Sequence, residues 1–206
     1  TGNKVAFANN SASDPNGSLG GAIYNVNVSN ISDSTFTNNY AGNYGGAILN
    51  DGTLTVNNST FTGNYTTNAN NIGGAIYNSG TFENIVESVK TAGITESAFN
   101  DNDADNGGAI YNALNAQIAL TSGAFNSNRA VHYGGGIYNA GQVTINGLQF
   151  LSNSVTDKGG GGALYNSGTL EFTGNTTSFN NNAANSVEES VGGAIYNVGT
   201  ITANSE

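Results

Sequence analysis

The sequence has no cysteine, methionine or tryptophan, one proline, one histidine and only four basic residues. Each shortage excludes something. Without cysteine there is no disulfide framework and no thiolate metal site. Four Lys and Arg stand against fourteen acidic residues, for a net charge of −10, so the chain lacks the clustered positive charge that nucleic-acid phosphates demand. No apolar run reaches the length of about 18 residues that a membrane-spanning helix needs. No leader segment is evident at the start, so the chain reads as a cytosolic protein, a mature form or a piece of a longer one. What the chain does have is 37 Asn and 30 Gly in 206 residues. Glycine at this level signals disorder only where it lacks a pattern, and here it is periodic.

The hexapeptide Gly-Gly-Ala-Ile-Tyr-Asn stands at 20–25, 73–78, 107–112 and 192–197, with near-copies at 45–50, 134–139 and 161–166. The second glycines of these seven copies are 25, 28, 34, 27, 27 and 31 residues apart. A second motif, Phe-x-x-Asn, alternates with the first, at Phe7, Phe36, Phe61, Phe99, Phe125, Phe150 and Phe179. Between them lie turn-plus-strand segments such as Asn50-Asp51-Gly52-Thr53-Leu54. The apolar runs are short and rich in β-branched and aromatic residues, which suits strands rather than helices. A period near 27 predicts one coil of a parallel β-helix, with three short strands and three corners. A single coil cannot bury its own apolar face, so coils stack. At about 4.8 Å per coil, seven coils make a rod of roughly 34 Å. The expectation is one all-β domain over 1–206, with a projecting loop near 84–97 where the repeat lengthens to 34 residues.

Stacking places each repeated residue on its own copy. Phe36, Phe61, Phe99, Phe125, Phe150 and Phe179, with Phe7, are expected to form an aromatic ladder inside a corner. Asn25, Asn50, Asn78, Asn112, Asn139, Asn166 and Asn197 are expected to form an amide ladder at a bend. Neighbours on a strand point to opposite faces. If the Ile of each hexapeptide is inside, then Tyr24, Tyr77, Tyr111, Tyr138, Tyr165 and Tyr196 line the outside and form a candidate binding surface. The alternatives are that a corner loop covers them or that the two faces are reversed.

Candidate chemistry is sparse. Lys4, Lys90, Arg129 and Lys158 are scattered over different coils, and Asp51, Glu83 and Glu171 read as solvated charges. No carboxylate pair recurs in the pattern that glycoside chemistry requires, so the chain is expected to be non-catalytic. His132 is the sole imidazole and reads as a surface residue. Asp101, Asp103 and Asp105 stand at alternate positions, like the opening of a calcium loop. The helix-loop-helix pattern nevertheless fails, because the glycine comes one place late and Asn112 stands where Glu is needed. Calcium is therefore a weak expectation beside a solvated acidic corner, and no other cofactor is indicated. Outward threonines at 53, 55, 144, 200 and 202 raise an ice-binding surface, but the uneven coil lengths and the interruptions at Gln142 and Glu171 argue against it.

The alternating Gly-Gly-Ala-Ile and Phe-x-x-Asn repeats, from Phe7 to Asn197, resemble those of the polymorphic outer-membrane proteins, whose passengers are displayed by bacterial autotransporters. The resemblance implies a right-handed β-helix at the bacterial cell surface, acting as an adhesin toward a host-cell or neighbouring-cell protein or glycan. The family's outer-membrane barrel has no counterpart in this sequence. The absence of cysteine suits export through an oxidising compartment. A second expectation follows from the ends of a β-helix, whose open backbone groups invite another copy. End-to-end stacking of that kind would build an extracellular filament.

Overall fold

The computed structural model describes residues 4–14, 17–79, 91–186 and 189–203. It is an all-β solenoid of about seven coils in which every strand pairing is parallel. Among the described residues no helix is long and apolar enough to cross a membrane.

Each coil starts at the first glycine of the hexapeptide. That residue takes a left-handed conformation in all seven copies, with φ between 58° and 70°, where only glycine is unstrained. The second glycine is required for a different reason. A Cβ on Gly46, Gly74, Gly108, Gly135 or Gly162 would lie 2.1–2.2 Å from the carbonyl oxygen of the matching glycine one coil on. The coils can therefore close to strand spacing only with a bare backbone there. The Ile-Tyr-Asn tripeptides that follow form a seven-stranded sheet with Ile over Ile and Asn over Asn. The apolar strands after the turn and the Phe strands share a twelve-stranded sheet, and a nine-stranded sheet completes the coil. The expected three strands per coil are thus commonly four segments on three faces. In the coils holding Gln117–Asn126 and Gln142–Leu151, two of these segments fuse into one ten-residue strand.

The core is a set of columns. Ile48, Ile76, Ile110, Ile137 and Leu164 are completely buried. The Phe rings stack at centroid distances of 4.5–5.0 Å and within 14° of parallel, which is the coil repeat itself. They lie within strands, facing inward, rather than in a corner. Two residues after each Phe the chain turns through positive φ, at Asn9, Asn38, Gly63, Asp101, Ser127, Ser152 and Asn181. Asn and Gly tolerate this conformation best.

Two asparagine columns satisfy the buried corners. In the hexapeptide column each Nδ2 donates to the next Oδ1 at 2.7–2.9 Å, from Asn25 through to Asn197. The Phe-x-x-Asn column is more tightly tied. Asn64 donates from both its backbone N–H and its Nδ2 to Asn102 Oδ1, at 3.0 Å each, and its Nδ2 also donates to the Phe36 carbonyl at 3.0 Å. The same pattern recurs at Asn102 and Asn128. Buried amides are tolerable only when paired in this way.

The expected loop at 84–97 is divided. Thr91–Thr95 is a regular strand, in register with Gln117–Thr121 on one side and with Leu54–Asn57 from Ala92 onward on the other. The reason lies in its motif-free but strand-compatible sequence, which continues the stacking of its neighbours. Residues 84–90, together with Phe82 and Glu83, lie outside the described residues.

Candidate functional site

In each Ile-Tyr-Asn strand the isoleucine and asparagine turn inward, which sends the tyrosine outward. Tyr77, Tyr111, Tyr138, Tyr165 and Tyr196 form a continuous outward column. Successive centroids are 5.6, 4.4, 4.7 and 5.4 Å apart, with Tyr111 and Tyr138 only 6° from parallel. The column is less open than a free aromatic surface. Tyr24 is 49% exposed, but Tyr77 is only 8% exposed and the other four are half-buried. The coil spacing is close to the thickness of a ring, so each tyrosine hides the faces of its neighbours.

Two further tyrosines close over the column. Tyr44 and Tyr133 stand immediately before the first glycine of their hexapeptides. Tyr44 meets Tyr77 at 5.1 Å, and Tyr133 meets Tyr165 at 4.7 Å. Burial pushes the Tyr77 phenol up to about 12, with the proximity of Tyr44 and Asp51 adding to it. Burial likewise raises the phenols of Tyr111 and Tyr165, reinforced in each by Tyr138 and other neighbouring phenols. At neutral pH the face is thus a close-set array of neutral hydroxyl groups over aromatic edges. The signal for Tyr44 and Tyr133 is present in the sequence, but the same position holds Leu19, Ile72, Asn106, Gly160 and Val191 in the other copies.

The column is broken once, at Leu49, which lies between Tyr24 and Tyr77 in register. Around it the structure leaves a cavity of about 250 Å³ bounded by Leu19, Tyr24, Tyr44, Leu49, Asp51, Tyr77 and Ser79. The hydroxyl of Ser79 donates to Asp51 Oδ1 at 2.9 Å. A second tyrosine pair, Tyr40 and Tyr65, stacks at 5.3 Å on the nine-stranded sheet.

The three aspartates considered for calcium do not converge. Asp101 sits in the left-handed corner after Phe99. Asp103 pairs with Arg129 one coil on, and burial raises its pKa against the opposing pull of that guanidinium. Asp105 Oδ2 accepts the Asn70 N–H one coil back, at 2.6 Å. Their partners thus lie in opposite directions along the axis. Among the described residues no group of three His, Asp or Glu side chains is placed to hold a metal ion. His132 is half-buried in the strand Arg129–Tyr133.

These features define a class: a tandem-repeat parallel β-solenoid with an outward column of tyrosines. Residues 4–26 and 33–51 match the model of the Chlamydia polymorphic membrane protein repeat, so the first coils carry repeats similar to that family's. Comparison with curated proteins and with solved structures gives no significant match.

Proposed function

We propose that this chain is a non-catalytic part of a bacterial surface rod that adheres to host or neighbouring cells through its tyrosine column. The observation that carries this reading is the continuous outward column of tyrosines from Tyr77 to Tyr196, stacked at its centre and edge-on at Tyr196. Tyrosine offers apolar area and a polar tip at small entropic cost, which makes it effective in protein and glycan contacts. The match to a membrane-protein repeat supports a place at the cell surface.

The test is binding of the purified chain to cultured cells and to a glycan panel, with Tyr138→Ser/Tyr165→Ser as the variant. Binding to cells or to a glycan is expected, and the double variant should lose at least about tenfold, the scale of a contact hot spot. Unchanged binding by a folded double variant would overturn the reading.

One observation also favours end-to-end assembly. Phe172, Phe179, Ile195 and Ala203 surround an open cavity of about 450 Å³ at the last coil. A further coil with its own Phe and Ile would fill it, whether supplied by the same polypeptide or by a second copy. Light scattering across a concentration series separates the two: growth with concentration supports self-assembly, and a constant monomer rejects it.

A further inference from the structure

The break in the tyrosine column forms a cage. In three successive coils the residue before the hexapeptide, the outward residue within it and the residue after it align as a grid. The middle row reads Tyr44, Leu49, Asp51, with Tyr24 one coil below Leu49 and Tyr77 one coil above. Leu49 is 4% exposed and forms the floor. Tyr24 and Tyr77 are two strand spacings apart, about 9.6 Å, where other coils place a third ring between them. Removing that ring leaves an opening of about 250 Å³ with aromatic walls. This is below the range of about 300–1,000 Å³ for whole drug-sized ligands, so it suits a compact head group. Asp51 supplies a carboxylate fixed by Ser79, and among the described residues no lysine or arginine lines the space.

Tyrosine rings around a small cavity with one carboxylate favour a cation whose charge is spread over methyl groups, because ring faces attract such a cation and its weak hydration makes entry inexpensive. A sugar would need several directed hydrogen bonds, whereas the cavity surface is mainly apolar and Ser79 is already bonded to Asp51. We infer that the cage around Leu49 binds a methylated ammonium group of the choline type. The site shares Tyr24 and Tyr77 with the contact face proposed above, but it does not depend on cell adhesion, and the two are tested by separate readouts.

The experiment is an NMR titration of the 206-residue chain with choline chloride, following the choline methyl signal and the tyrosine ring signals. Ring currents should shift the methyl signal upfield, with saturation on the order of 1 mM, the scale of a few cation–π contacts. The neutral isostere 3,3-dimethylbutan-1-ol should bind at least about tenfold more weakly. Leu49→Tyr restores the ring found in other coils and should abolish binding. Tyr24→Ser alters an exposed side chain and should weaken binding severalfold in a protein that still folds, as should Asp51→Asn. Sedimentation with phosphatidylcholine vesicles but not phosphatidylglycerol vesicles would make a lipid head group the source. Choline binding without such sedimentation would make it a free or peptide-borne ammonium, and either result sustains the inference. Equal binding of the neutral isostere, no binding of choline, or wild-type binding by Leu49→Tyr and Tyr24→Ser would overturn it.

Discussion

At the scale of single residues, the solenoid is specified by positions that tolerate almost no substitution. Asn102 and Asn128 are completely buried, and each bonds to the coil on either side. Removing one such amide strands a backbone N–H, a side-chain amide and a carbonyl at once, and each unsatisfied buried group costs about 1–3 kcal/mol. Tyr77 shows how the outer column adds to stability. Its phenol is pushed up to about 12 by burial, whereas an unfolded tyrosine ionises near 10. The folded chain therefore holds this proton more tightly. The resulting stability is complete below about pH 10 and drains away as the pH rises through about 12, with a ceiling of about 2–3 kcal/mol. Denaturant melts between pH 9 and 12 should show this loss in the wild type and a shallower loss in Tyr77→Phe. Equal slopes would contradict the burial of this phenol. The identity of the columned residues is legible in the sequence because each repeats at the same place in its motif. The covering by Tyr44 and Tyr133 is not, because that position changes character from coil to coil.

At the scale of the coil, closeness of approach decides which glycines matter. A Cβ on Gly135 would lie 2.2 Å from the Gly162 carbonyl oxygen and 2.5 Å from that of Ser154. A Cβ on Gly93, within the strand Thr91–Thr95, meets nothing within 4 Å. Gly135→Ala should therefore force two coils apart and lower the melting temperature by at least about 10 °C, or prevent folding, in keeping with a cost of several kcal/mol. Gly93→Ala should be neutral or raise stability by up to about 1 kcal/mol, through reduced freedom of the unfolded chain. Thermal melts of the two variants check both, and similar behaviour would contradict the assigned packing. The hexapeptide marks its coil because its two glycines, inward Ile and inward Asn each meet a separate physical demand. Thr91–Thr95 carries none of these markers, so its strand is visible only through its neighbours. The acidic segment Asp101–Asp105 has a related geometry: alternate spacing puts Asp103 and Asp105 on one face of a strand, and each is engaged by an adjacent coil, Asp103 by Arg129 and Asp105 by Asn70.

At the scale of the whole molecule, the parallel stacking that makes a core also makes a surface. Any outward residue kept in the repeat becomes a line along the rod, and the tyrosines of the hexapeptide are such a line. A net charge of −10 with few basic groups favours solubility, and the half-buried aromatic line runs along one face beside more exposed single apolar residues such as Val28 and Leu114. The break at Leu49 divides this line into an open ring at Tyr24 and a packed stack from Tyr77 onward, giving two kinds of contact on one face. The Tyr40–Tyr65 pair, on a different sheet, provides an internal reference. The most direct measurement is tyrosine nitration of the chain, free and bound to target cells, read by peptide mass spectrometry. Protection of Tyr138 and Tyr165 on binding is expected, with Tyr65 labelled equally in both states. Protection confined to Tyr40 and Tyr65, or none in a chain that is demonstrably bound, would contradict the tyrosine column as the contact face.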